Sequence, residues 1–340
     1  CTEIALCRVM NGGPPGLPGL AYAAAPSKRG KDGFMRKFIL KRLCTLIPVL
    51  IVVSILVFLM VHVMPGDPAR IMAGDTATEQ DVEKIRVAYG FDRPLYEQYF
   101  RYISKALRGD FGTSFRTGRP VAQEIAIRFP NTMLLAVAAI VISIVFGIGI
   151  GLISATKRNS IFDSVSMVLA LVGLSIPPFY LGLMLMLIFC VILKWLPITA
   201  EVSFVGMILP SLTLSARSLA TIARMTRSSM LEVMSQDYIL TAKAQGFNSR
   251  KIIFSHALKN AMNSIVTVAG IQFGTLLGGS VITEKVYGWP GLGELVITAI
   301  KARDFPVVQT TILVIAVSFV AVNLFVDVLY VLINPRIKYV

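Results

Sequence analysis

The sequence predicts an all-α membrane protein with six transmembrane helices, and two observations carry that expectation. First, 55% of the 340 residues are hydrophobic and only 15% are Asp, Glu, Lys or Arg, whereas ordinary soluble domains carry about 25% charged residues. A soluble globule could not cover such a composition with polar surface, so a disordered chain, a coiled coil and most soluble enzymes of this size are excluded. Second, uncharged runs of the roughly 20 residues needed to cross about 30 Å of hydrocarbon recur along the chain. The balance of 33 Lys+Arg against 19 Asp+Glu, net +14, would suggest nucleic acid in a soluble protein. Here the uncharged runs assign the excess to cytoplasmic loops, and no nucleic-acid partner is expected.

Residues 1–34 are rich in Gly, Pro and Ala and read as a disordered extension or a non-native start. Met35 then opens MRKFILKRL, and 35–64 holds the first transmembrane helix, whose core 43–63 lacks Asp, Glu, Lys and Arg. Residues 65–130 form a helical loop outside the membrane. Within it Leu95, Tyr99, Tyr102 and Ile103 recur at helical spacing after Pro94, a favourable helix-start residue. The remainder, 131–340, supplies five more spans. Residues 133–154 are uncharged, with Gly147, Gly149 and Gly151 alternating, and small residues there suit close helix packing. Residues 164–193 form an uncharged run with Pro177-Pro178 at its middle. One tilted or kinked helix is expected, because no polar turn separates the halves; splitting it would give seven spans. About 204–223 follows with Arg217 inside it, then the uncharged 261–283 with Gly278-Gly279-Ser280 near its end, and about 307–333 with Asp327 as its one charge.

Lys and Arg in the short loops set the orientation. With the N-terminus inside, the inner segments hold 14 basic residues, from Arg36 and Lys37 through Lys157 and Arg158 to Arg336 and Lys338. The short outer loops hold four, Lys194, Lys285, Lys301 and Arg303. The loop 65–130, with ten basic and nine acidic residues, exceeds the length to which the rule applies. Both termini are therefore expected in the cytoplasm, and 65–130 in the periplasm.

The inner loop, about 225–260, is too elaborate for a connector. Asp237 can cap a short helix running through Gln245, Gly246 can end it, and Asn248 or Ser249 can cap a second running towards Asn260. Ala242 and Gly246, four apart, with Thr241 and Ala244 beside them, make a face of small side chains. Such a face lets another backbone approach closely and suits docking into a groove. The alternative is an amphipathic helix lying on the membrane surface.

These residues resemble the cytoplasmic coupling loop of ABC importer permeases. The superfamily signature has Glu-Ala-Ala, three residues, Gly, then Ile-x-Leu-Pro. This chain keeps Ala242, Gly246 and Leu258, and has Leu240, Thr241, His256 and Lys259 where the signature has Glu, Ala, Ile and Pro. The departures match the dipeptide/oligopeptide/nickel branch, whose version reads Tyr-x-x-Thr-Ala-x-Ala-x-Gly and His-Ala-Leu-x-Asn-Ala. Here those positions are Tyr238, Thr241, Ala242, Ala244 and Gly246, then His256, Leu258 and Asn260. Met64-Pro65-Gly66-Asp67-Pro68, Gly90 to Pro94, Gly109-Asp110-Phe111-Gly112, Leu209-Pro210-Ser211, Ala223 to Ser229, Gly288 to Gly293 and Asn334-Pro335 resemble the same branch. The resemblance covers about 35–340 and is closest to glutathione-importer permeases. It implies the type I permease fold and alternating access in a bacterial plasma (inner) membrane. It also implies a second homologous permease, two ABC ATPases on the coupling loops and a periplasmic or lipid-anchored substrate-binding protein. ATP and Mg would be bound by the ATPases, with no cofactor on this chain. Small peptides, glutathione among them, are the implied substrates; a nickel importer or an ATP-independent channel are the alternatives.

Few polar side chains in the spans are available to a translocation pathway. Arg217 lies seven residues, about 10 Å of helix rise, from Arg224 on one face. It either lines the route near a peptide carboxylate or reaches for inner-leaflet phosphates. Asp327 can pair with Arg217 or with a base of the coupling loop. Gln272 and Asn323 are uncharged candidates for the same route. Trp289, Pro290, Gly291 and Gly293 read as a periplasmic gate or docking site for the binding protein, or else as an interfacial aromatic anchor. Catalytic and metal-ligand patterns are absent: there is no G-x-S-x-G or H-E-x-x-H, and the nearest approach to a P-loop, Ala25 to Asp32, lacks the first Gly and the final Ser/Thr. The four Cys form no CxxC pair, and Cys44 and Cys190 are expected to be packing residues. No enzymatic activity is expected of this chain.

Overall fold

The computed structural model describes residues 28–63, 66–74, 76–198 and 202–333. The chain divides into two units, 1–44 and 45–340. Among its described residues the first unit contributes the opening part of helix α1 (Lys28–Val63), which starts at Lys28 rather than near Met35. The expectations for residues 1–27, for Met64-Pro65 and for the tail from Asn334 onwards lie outside the described residues. Thirteen α-helices and two π-helical turns occur among the described residues, without a β-strand.

The extramembrane piece after α1 holds α2 (Pro68–Ala73), α3 (Glu79–Tyr89) and α4 (Leu95–Leu107). Asp67 caps α2 by accepting the Ala69 amide at 3.1 Å and ion-pairs with Arg86 of α3. Thr78 caps α3 and its hydroxyl donates to the Asp81 carboxylate at 2.7 Å; this bond holds the exposed Asp81 below the usual carboxylate range. Helix α4 starts directly after Pro94, as the spacing predicts. Its Tyr99 hydroxyl bonds Ser54 of α1 at 2.8 Å.

Helix α5 (Val121–Thr156) begins well before its apolar run. The run expected as one helix is instead two, α6 (Ile161–Ser175) and α7 (Pro178–Met186), the latter continued by a π turn, Leu187–Ile192. The halves meet at 105°. The cause is local. A residue before proline is pushed out of the helical region, and Ile176 (φ −75°, ψ 125°) and Pro177 (φ −59°, ψ 136°) are both extended. Then come α8 (Phe204–Met234), α9 (Asp237–Ala244), α10 (Ser249–Lys251), a π turn Ile252–Ala257, α11 (Leu258–Tyr287), α12 (Leu292–Lys301) and α13 (Phe305–Ile333). Among the described residues, four helical stretches (α5, α8, α10 through α11, and α13) are long and apolar enough to cross a membrane. The bent α6–α7 pair makes a fifth if it is counted as one broken span rather than a re-entrant loop, and α1 carries a shorter apolar stretch, Cys44–Met60.

Between membrane helices the lipid is as apolar as leucine, so close packing rather than the hydrophobic effect holds them together. The most extensive contact is α5 on α8, and glycine makes it possible. A Cβ on Gly151 would stand 2.4 Å from the Ala223 carbonyl oxygen, and one on Gly147 2.9 Å from Ile222. Gly149, on the other side of α5, would meet nothing within 4 Å. The largest buried cluster gathers Leu135, Ile222, Met230, Ile239, Ile252, Ile265 and Trp289. It therefore runs from the 237–260 loop to the opposite end of the bundle. Cys190 belongs to this core, whereas Cys44 is exposed.

Candidate functional site

The 237–260 loop is held by few residues. In α9 only Ile239 and Ala242 are buried, and both join the cluster that contains Ile252 and Ala257 of the π turn. The face of small residues is thus divided: Ala242 points into the protein, while Thr241, Ala244 and Gly246 are exposed beside Tyr238 and Leu240. Asp237 is the first helical residue rather than the cap. Gln236 takes the extended cap conformation without a side-chain bond, and the acid of Asp237 then complements the helix dipole from the first turn. Gly246 ends the turn with φ +79°. A Cβ there would touch nothing within 4 Å, so it is the left-handed backbone that calls for glycine.

The two halves of the resembling motif are tied to each other. Asn260 Nδ2 donates to the Tyr238 hydroxyl at 2.8 Å and to the His256 carbonyl at 3.0 Å. The His256 ring stacks on Phe247 at 5.8 Å, and Lys251 Nζ lies 4.5 Å from the Phe247 centroid. Leu258 packs against the buried cluster. Asn248 caps α10 by accepting the Arg250 amide at 3.1 Å.

An ion pair absent from the sequence-level expectations lies at the same end of the bundle. Arg227, on the last turns of α8, grips Asp163 with two bonds, Nε to Oδ1 at 2.6 Å and Nη2 to Oδ2 at 2.8 Å. Asp163 also accepts the Ser154 hydroxyl and the Asn159 amide. The partners are 64 residues apart, and the one clue in the sequence is a lone acid at the mouth of an apolar run.

The four pathway candidates are distributed over three helices. Arg217 is exposed on α8, in one stripe with Thr221, Arg224 and Ser228. Gln272 of α11 accepts the hydroxyl of Ser218, Arg217's neighbour, at 3.2 Å. Asn323 of α13 packs on α11, with its Oδ1 2.8 Å from where a Gly274 Cβ would stand, and donates to the Phe319 carbonyl. Asp327 lies about one turn further along α13 and is half-buried.

At the far end of the bundle, the 288–293 loop folds over a buried carboxylate. Glu284 is fully buried, and its Oε2 accepts the Gly293 amide at 2.6 Å and the Glu294 amide at 3.4 Å, at the N-terminus of α12. Thr132 Oγ1 accepts the Leu292 amide at 2.8 Å. Asn131 donates to the Pro290 carbonyl, and its own carbonyl receives the Trp289 indole N–H. Trp289 is fully enclosed, so what this loop presents outward is Gly288 and part of Pro290. Gly291 and Gly293 are required by close approach: Cβ atoms there would sit 2.3 Å and 2.9 Å from Glu284 Oε2. Nearby, the buried Asp304 accepts the Ser114 hydroxyl and the Phe115 and Arg116 amides, joining the 109–120 loop to the start of α13. Glu284 and Asp304 were not among the sequence-level candidates.

Residues 147–339 match the family described as binding-protein-dependent transport system inner membrane component, and 35–136 match the N-terminal family of the same membrane components. The chain is 48% identical over 305 residues to the glutathione transport system permease protein GsiC of Escherichia coli, covering 90% of this chain and 100% of the relative. The proteins of that description from Shigella dysenteriae and Shigella flexneri match at the same identity and over the same shares.

Proposed function

The chain belongs to the family of binding-protein-dependent transport system inner membrane components, and from that premise we propose how it works and on what. It is a multi-pass membrane subunit of an ABC importer and not itself an enzyme. Its substrates are small peptides, with glutathione first among them, the compound named for its 48%-identical relatives. Two ATPases bind the 237–260 loops of this chain and of a second, homologous permease, and a binding protein delivers substrate at the opposite face. Six crossings place both termini on the ATPase side. Closure of the ATPase dimer shifts the spans between two states, each favoured by different ligands.

The observation that carries this reading is the loop itself. Ile239 and Ala242 are the buried residues of α9, leaving Tyr238, Leu240, Thr241 and Ala244 exposed on a helix that is braced from behind by the Asn260 bond to Tyr238. The polar stripe of α8, Arg217 to Ser228, faces the translocation route, where a peptide carboxylate meets its cations.

Reconstitution of the full transporter in liposomes, with glutathione uptake and stimulated ATP hydrolysis measured together, tests the reading at Gly246. Gly246→Asn keeps a residue tolerant of the left-handed region and should retain both activities. Gly246→Arg should insert normally yet lose uptake and stimulated hydrolysis together. Normal uptake in Gly246→Arg would overturn the coupling role.

A further inference from the structure

At the end of the bundle opposite the 237–260 loop, two cavities share a wall and stack along the helices. The deeper has a volume of about 950 Å³ and lies between α1, α4, α5 and α13, walled by residues such as Ile51, Ile103, Phe129 and Val314. Its three polar lining side chains are already engaged: Ser54 and Tyr99 bond each other at 2.8 Å, and Ser318 donates to the Val314 carbonyl at 2.7 Å. The shallower has a volume of about 260 Å³ and shares Phe111 with the first. Into it reach Arg93, Arg101 and Lys105.

The order along both bounding helices agrees. On α1, Ile47 to Ser54 line the deeper cavity, and Phe58 and His62 the shallower. On α13, Leu313 to Ser318 line the deeper, and Phe305 to Gln309 the shallower. From Phe58 to Ile47 the helix rise is about 16 Å, so an apolar slot runs into the membrane beneath a charged mouth. Arg93 pairs with Glu97 at 3.3 Å, and Asp110 at the rim accepts the Gly112 amide at 3.1 Å. Arg101 and Lys105 are then the cations that face the mouth, with the Arg101 guanidinium laid against Gly90.

We propose that the paired cavities bind one anionic phospholipid, with its acyl chains in the apolar slot and its phosphate at Arg101 and Lys105. A water-soluble anion would use the mouth and leave the slot unexplained. A helix of the second permease could fill the slot but gives no reason for cations above it. Only a lipid joins both chemistries in the observed order, and basic residues at a membrane surface favour anionic headgroups.

Native mass spectrometry of the complete transporter, extracted from bilayers of equal phosphatidylglycerol and phosphatidylcholine, tests this. The wild-type complex should retain phosphatidylglycerol over phosphatidylcholine by about tenfold, the scale of one to two basic residues meeting an anionic headgroup. The double variant Arg101→Gln, Lys105→Gln should bring that ratio close to one while still retaining lipid. Ala126→Trp, which fills the slot from the exposed face of α5, should lose both lipids. Should that variant fail to assemble, Ser318→Trp gives the same readout from the opposite wall. Excess inorganic phosphate should not release the lipid. A wild-type complex without retained lipid, a ratio untouched by the double variant, or cross-linking of a cysteine at Ala126 to the second permease would each overturn the proposal.

Discussion

Removing the charge of Asp163, in the first turn of α6, should be among the most damaging single changes to a polar side chain. Asp163 is 4% exposed and accepts four donors: Arg227 Nε and Nη2, the Ser154 hydroxyl and the Asn159 amide. In Asp163→Asn one oxygen becomes an amino group that must face the Arg227 guanidinium, so a donor opposes a donor and the cation is left unpaired. Breaking a buried ion pair from one side costs about 3–5 kcal/mol. Arg227 is 26% exposed, so water can rehydrate part of the guanidinium, which points to the lower end, about 3 kcal/mol. Arg227→Lys keeps the charge but loses the two-pronged geometry and should cost about 1–2 kcal/mol, one to two ordinary hydrogen bonds. Equilibrium unfolding of the purified chain in mixed micelles reads both values, and a double-mutant cycle isolates the pair. The expected order of stability is wild type, Arg227→Lys, then Asp163→Asn. A loss below about 0.5 kcal/mol in Asp163→Asn, the range of ordinary surface changes, would refute the claim that this pair clamps α8 to the α5–α6 turn.

Three further changes test the remaining geometry. Gly291→Ala should displace Glu284, because the new Cβ would stand 2.3 Å from its Oε2; a loss of about 1–3 kcal/mol is expected in the same unfolding assay. Asn260→Ala removes the brace behind Tyr238 and should cost about 1 kcal/mol, and glutathione uptake should fall while membrane insertion, followed by protease protection, stays normal. Arg217→Ala should raise the substrate concentration for half-maximal uptake about tenfold, the worth of one charge-assisted bond of roughly 1.4 kcal/mol, with recovery in Arg217→Lys; unchanged uptake kinetics would move Arg217 out of the pathway.

Periodicity and length are properties of one segment, and so the helices were legible in the sequence. The apolar runs, two of them carrying a single charge (Arg217, Asp327), became α5, α8, α11 and α13, and Pro94 and Gly246 marked a helix start and a helix end. The bend at Ile176 was written in Pro177-Pro178, but its size was not, since proline kinks vary with what packs around them. The split of the small-residue face, Ala242 inward and Ala244 outward, depends on which side of α9 meets Ile252, and no local pattern states that. The buried carboxylates were least legible. Asp163, Glu284 and Asp304 look in sequence like ordinary loop or helix-end acids. Their importance comes from partners that the fold delivers: Arg227 for Asp163, the start of α12 for Glu284, and the 114–116 amides for Asp304.

The Asp163–Arg227 pair also bears on how a push on α9 would travel. Helix α8 is 31 residues long, about 46 Å, and is fastened at three levels. Arg227 binds it to the α5–α6 turn through Asp163, Gly147 and Gly151 press it onto α5, and Thr213 bonds Tyr287 of α11, whose hydroxyl donates to the Gly182 carbonyl of α7. Packed interfaces of this kind shift as units rather than deform continuously. A push on α9, passed on through Ile239 and Ala242, would therefore meet a block of α5, α8 and α11. Beyond that block, the weak points are where regular backbone hydrogen bonding is interrupted, at Ile176-Pro177 and in the π turns Leu187–Ile192 and Ile252–Ala257, the last directly behind α9. Single π turns inside helices recur at functional sites. Motion placed at those breaks would leave the packed core of α5, α8 and α11 intact.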